Sequence, residues 1–128
     1  MSAFSKHLSE LYLDFMFQGA TFTPPTDYYV GLFTENPTPL GTGDEVSGGG
    51  YTRVLVSFDI ASDMSSASLG DVNFPVATGD WGEITHVGIF NASESGELYF
   101  FGALENPRSI YTGDEIRFDA GEIVVAIN

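Results

Sequence analysis

A chain of 128 residues and 13.8 kDa is the size of one domain, long enough to bury a core without metal or disulfide staples. It has no cysteine, which excludes a disulfide framework, a thiolate metal site and a cysteine nucleophile. Asp and Glu number 18 against 4 Lys and Arg, and the net charge of −14 repels nucleic acid and anionic membranes while suiting solubility, a basic partner surface or cations.

In chain order, Ser5 to about Gln18 reads as a helix: Phe4, Leu8, Leu11, Tyr12, Phe15 and Met16 recur at helical spacing and form one apolar face. Ser2 or Ser5 caps its start and Gly19 stops it. Residues 1–20 are therefore expected to be a helical arm. Residues 21–27 carry Thr23-Pro24-Pro25-Thr26, an extended hinge that cannot continue the helix. From 28 to 128 the pattern is strands and turns. Strands are expected at Tyr28–Thr34, Tyr51–Phe58, Asp71–Ala77, Glu83–Asn91, Glu97–Leu104, Arg108–Tyr111, Glu115–Phe118 and Ile123–Ile127, with Asp59–Gly70 a polar loop. Glu83–Asn91 and Glu97–Leu104 form a hairpin and are apolar on both faces, which places them centrally. Short strands with frequent turn signals and no helix–strand alternation predict an all-β, antiparallel β-sandwich (jelly-roll or Ig-like) with one N-terminal α-helix. Val54, Val56, Phe58, Val87, Ile89, Phe100, Phe118 and Val125 are its expected core.

No residue pattern carries a catalytic signature. His7 and His86 are the two histidines, and no serine stands in a nucleophile elbow. Asp80, Glu83 and His86 recur at three-residue spacing, but the Gly79 and Gly82 turn removes the helix that would align them. The acidic loops lack the alternating oxygen ligands of a calcium loop, and the Gly48-Gly49-Gly50 triplet lacks the Lys of a phosphate loop. Trp81 reads as a buried anchor rather than a sugar platform. The expectation is no enzyme, no cofactor and no metal. No apolar run approaches the roughly 20 residues of a membrane helix, and the first residues do not follow the pattern of a secretory signal.

Tyr28-Tyr29-Val30-Gly31-Leu32-Phe33-Thr34, Asn36-Pro37-Thr38, then Glu45-Val46-Ser47-Gly48-Gly49-Gly50-Tyr51-Thr52-Arg53 resemble the opening of a family of small tailed-bacteriophage proteins. The run Asn73-Phe74-Pro75-Val76-Ala77-Thr78-Gly79-Asp80-Trp81-Gly82-Glu83-Ile84-Thr85-His86-Val87-Gly88-Ile89-Phe90 resembles its central motif. Leu98–Leu104, Gly113–Phe118 and the arm's end, Gly19–Pro25, resemble the rest. The family carries the labels phage tail fibre protein and virion structural protein. The resemblance implies a virion protein made in the bacterial host cytoplasm, with no catalytic residue to carry over. Small size and a docking arm rank a capsid decoration (cement) protein on the major capsid protein first; a tail fibre, tail-tip or baseplate subunit meeting a host receptor is the alternative. The arm face, Phe4, Leu8, Leu11, Tyr12 and Phe15, is the expected contact in a homo-oligomer, with a trimer favoured to match a capsid's local threefold positions. On that reading the domain folds without residues 1–20, as a monomer.

Overall fold

The computed structural model describes residues 2–126. The elements run β1 (Ser2–Phe4), α1 (Lys6–Gln18), β2 (Tyr28–Phe33), β3 (Val54–Val56), β4 (Ser65–Ala67), β5 (Val72–Asn73), β6 (Gly82–Phe90), β7 (Leu98–Ile110), β8 (Arg117–Phe118) and β9 (Val124–Ala126). One antiparallel sheet has the order β1-β7-β6-β2-β3. Two short ladders, β4-β9 and β5-β8, oppose it. The core lies between: Val30, Leu32 and Ile89 from the large sheet meet Val72, Phe74, Ile116, Phe118 and Ile123. This is the β-sandwich with one helix that the patterning predicts. Of the expected core, Val56, Ile89 and Phe118 are buried; Val54, Phe58, Val87 and Phe100 pack half-buried against them, and Val125 is half-buried on β9.

The helix begins and ends where its punctuation says. Ser5 is extended, and its Oγ accepts the Leu8 N–H at 3.1 Å. Gly19 takes φ 68° and returns its N–H to Asp14 O. The segment before the helix differs from the expected arm. Ser2–Phe4 adds an edge strand to the large sheet, with Phe4 opposite Phe100. Three residues are too few to show a strand period, and the signal lies in β7 instead. Its register slips between the pairs Ile89–Phe100 and Phe90–Leu98, leaving Tyr99 as an extra residue. The Tyr99 carbonyl then accepts the Ser5 N–H at 2.9 Å and ties the helix start to the sheet.

Other differences have local causes. The strands expected at Glu97–Leu104 and Arg108–Tyr111 are one 13-residue strand. Between Ile84–Arg108 and His86–Ala103, β6 spends only Thr85 while β7 spends Leu104, Glu105, Asn106 and Pro107, so the proline sits in a bulge. The Asp59–Gly70 loop contains β4, a Ser-Ser-Ala strand of weak propensity that β9 recruits. Pro75 ends β5 early, although Ala77 N still donates to Asp114 O at 2.9 Å. The last strand stops at Ala126, and Ile127 lies outside the described residues.

The Glu45-to-Arg53 motif is a polar knot on the outer face of β2. Asp44 and Val46 pair beside the end of β2: Thr34 N donates to Asp44 O at 3.0 Å and Val46 N to Leu32 O at 2.9 Å. Arg53 then grips Glu45 with two bonds of 2.8 Å, Nε to Oε2 and Nη2 to Oε1. The Tyr51 hydroxyl donates to Glu45 Oε2 at 2.5 Å and accepts the Leu32 N–H at 2.9 Å. Arg53 Nη1 donates to Ala92 O at 2.9 Å and Ser95 O at 2.7 Å, in the β6–β7 turn. Its guanidinium lies 3.5 Å from the centre of the Phe90 ring. Burial, then the Glu45 hydrogen bond and charge, push the Tyr51 phenol well above its ordinary value. Gly31 leaves the space: a Cβ there would stand 2.8 Å from Glu45 Oε2 and 2.9 Å from Phe90 Cε1. Gly49, at φ 60°, lets the chain pass against Trp81, whose indole N–H donates to Gly49 O at 2.8 Å. Trp81 is thus the buried anchor the sequence suggests.

Arg53 is 8% exposed and Glu45 23% exposed as side chains, whereas Arg117 and Asp119 are mostly in water. In urea unfolding, Arg53→Ala is expected to cost about 3 kcal/mol, because a half-buried carboxylate and two turn carbonyls lose a buried partner. Arg117→Ala is expected to cost less than about 1 kcal/mol. Equal costs would refute the knot's structural role.

Candidate assembly surface

The predicted arm face turns toward its own domain and is covered progressively less along the helix. Phe4 meets Phe100 edge-on at 5.3 Å and Tyr12 at 6.1 Å. Leu8 is buried and Leu11 half-buried. Farther on, Tyr12 and Phe15 are about half exposed, and Phe15 leans on Phe22 of the returning 21–27 segment at 6.4 Å. The face thus has a partial home within the chain, and the first half of the arm belongs to the domain.

The surface left open is a stripe that the sequence reading takes only in part. Leu13, Met16 and Phe17 stand at i, i+3 and i+4, with Phe17 opposite Leu8 and Met16 on its flank. They are 51%, 53% and 75% exposed. The reading includes Met16 in the face continuous with Phe4 and Leu8 and leaves out Leu13 and Phe17. The missed signal is that residues 12–17 are apolar on nearly every side, with Asp14 the exception. A helix apolar all round is a helix covered all round.

The candidate chemical residues do not converge. Asp80 Oδ1 accepts Thr112 N at 2.9 Å and Thr112 Oγ1 at 3.2 Å, holding a turn. His86 Nδ1 lies 2.8 Å from Thr85 Oγ1. Glu83 is exposed on β6. Among the described residues no three His, Asp or Glu gather as metal ligands would. Among them, too, no helix is long and apolar enough to cross a membrane.

The surface carries two concavities. One, of about 370 Å³, lies between β7 and β9, with Val87, Ile89, Phe100 and Phe118 in its lining and Glu105, Arg108 and Glu122 among its polar groups. The other, of about 340 Å³, lies between the helix start, Pro39–Gly41 and the β6–β7 turn. There His7 Nδ1 is 3.9 Å from Glu97 Oε2, and Lys6 pairs with Glu10 at 2.8 Å.

The fold is a β-sandwich with a partly exposed apolar helix beside it. The family is specific. Residues 3–126 match the family model described as Podophage GP4 fiber I protein gp80, and the chain belongs to that family. It is a bacteriophage virion structural protein of tail-fibre-like type. No curated protein matches it.

Burial holds the His86 imidazole below its ordinary pKa of 6.5. The folded state therefore favours the neutral ring, and the unfolded chain takes up the proton first as pH falls. The stability His86 contributes is present above 6.5 and is lost as pH falls below it. The stability difference between about pH 7.5 and about pH 5.5 is expected to shift in favour of the acidic side in His86→Gln. An identical pH profile in the two proteins would refute this assignment.

Proposed function

We propose that the chain is a subunit of a podophage tail fibre, acting by packing rather than by catalysis, and that α1 is its packing surface. The observation that carries the tail position is the family match, which spans nearly the whole chain and names a fibre. Sequence patterning alone ranks capsid decoration first; the family description favours the alternative. The lack of a converged catalytic or metal cluster among the described residues supports the packing role. The charge of −14 supports protein partners over nucleic acid or membrane.

The contact consists of Leu13, Met16 and Phe17, flanked by Tyr12 and Phe15 of the originally expected face. Each such side chain is worth about 1.5–3 kcal/mol on full burial. Partners are further copies of the chain and neighbouring tail proteins. Phe4 and Leu8 serve the domain itself, so deleting residues 1–20 removes β1, uncovers Phe100 and destabilises the fold rather than releasing an intact monomer.

The test is a triple variant, Leu13→Ser/Met16→Ser/Phe17→Ser, introduced into the phage. Its stability as an isolated protein is expected to stay within about 0.5 kcal/mol per site of the parent, since these side chains are half or more exposed. It is expected to be missing from purified virions, while the labelled parent is seen at the tail by electron microscopy. Label distributed over the head would refute the tail position. Normal incorporation of the variant would refute the role of the helix.

A further inference from the structure

We propose that the cavity between β7 and β9 is a binding site for a neutral, hydroxyl-rich ring, a single saccharide unit. The site adds a ligand to the fibre reading and stands apart from the packing role of α1, which contributes no residue to the lining.

The chemistry of the lining selects the class of ligand. Val87, Ile89, Phe100 and Phe118 make it apolar on one side, and Glu105, Asn106, Arg108 and Glu122 make it polar on the other. A pocket with an apolar body and a few convergent polar groups orients a ligand of the same division. A sugar ring has it, with C–H groups on its faces and hydroxyls round its edge. The carboxylates and the Asn106 amide oxygen accept from hydroxyls, and the Arg108 guanidinium and the amide nitrogen donate to them. Two carboxylates against one guanidinium leave the lining negative, within a chain of net charge −14, so anionic ligands are repelled. A wholly apolar ligand would strip water from the polar side and return no hydrogen bond. A metal ion would find no cluster of three His, Asp or Glu among the described residues.

The fold builds this wall deliberately. The bulge in which β7 spends Leu104, Glu105, Asn106 and Pro107 against Thr85 carries Leu104, Glu105 and Asn106 into the lining. Bulges redirect side chains in this way, and Pro107 has no N–H with which to restore the ladder. Arg108 follows directly. Its contacts are long, 3.8 Å to Glu122 Oε2 and 3.5 Å to Arg117 O, and its side chain is 45% exposed, so donors remain for a ligand. At about 370 Å³ the cavity is at the small end of the roughly 300–1,000 Å³ of ligand clefts, room for one sugar unit rather than a large cofactor.

The test is an NMR titration of the whole ¹⁵N-labelled chain with glucose, galactose and mannose, each beside its uronate. Amides of residues 103–106 and 122–125 are expected to shift with at least one neutral sugar, at a Kd of about 1 mM, as befits so small a ligand. The matching uronate is expected to bind at least about tenfold more weakly. Asn106→Ala, at an exposed position, is expected to weaken the neutral sugar about tenfold while leaving the urea midpoint unchanged. Glu105→Gln, also exposed, is expected to narrow the gap between sugar and uronate, which a purely structural glutamate would not do. No shift with any of the sugars, shifts confined to other residues, equal binding of the uronate, or a gap unchanged in Glu105→Gln overturns the proposal. Because the isolated chain is used, such a failure leaves the reading of α1 and of the fibre standing.

Discussion

The Glu45–Arg53 pair is the constraint on which the rest of the domain depends. A carboxylate and a guanidinium withdrawn from water are costly unless every remaining donor and acceptor is met. Here they are met by Tyr51, by the Ala92 and Ser95 carbonyls and by the Phe90 ring. The knot joins three segments distant in sequence: the chain beside β2, the Gly48–Arg53 loop and the β6–β7 turn. With those fixed, the central hairpin has its register. The hairpin's second strand then offers the bulge at Tyr99 on which the helix start is hung. The path from the knot to α1 is one of successive backbone and side-chain hydrogen bonds.

A division of labour follows from that path. Hydrogen bonds and burial are concentrated in the sandwich and fade along the helix, from Ser5 and Leu8, both buried, to Phe17, mostly in water. A helix of 13 residues that is held mainly through its first half gains little stability from its remaining apolar side chains while they are wet. On the proposed function their use lies in assembly, where the same side chains leave water against a neighbour. The acidity of the chain complements the proposed role: net repulsion disfavours random association, and residues 12–18, with Asp14 as their one charge, are the least charged part of the helix.

Much of the fold is legible in the sequence because local signals and tertiary demands agree there. Ser5 and Gly19 bound the helix, and the alternation in 54–58 and the two-sided apolarity of 83–91 and 97–104 place the sheet. The polar knot is not legible: Glu45 reads as a loop residue and Tyr51 and Arg53 as one face of a strand until β2 and the β6–β7 turn converge on them. β1 and β4 are invisible for a different reason. Each is three residues long, and each exists because a partner strand recruits it. The assembly surface is half legible. Apolar periodicity finds the helix, but the side it favours is the one the domain partly uses, since period alone does not tell which neighbour covers a face. The open stripe emerges only once Phe4 is seen on Phe100 and Leu8 is seen buried.

The account's central claim is that α1 changes from wet to covered when the virion forms, while the sandwich stays as it is. Hydrogen–deuterium exchange of the chain, free and in purified virions, measures that directly. Peptides covering residues 12–18 are predicted to exchange fast in the free protein and to become strongly protected in the particle, while β2 and β6 are slow in both. Equal exchange of residues 12–18 in the two states would contradict the account.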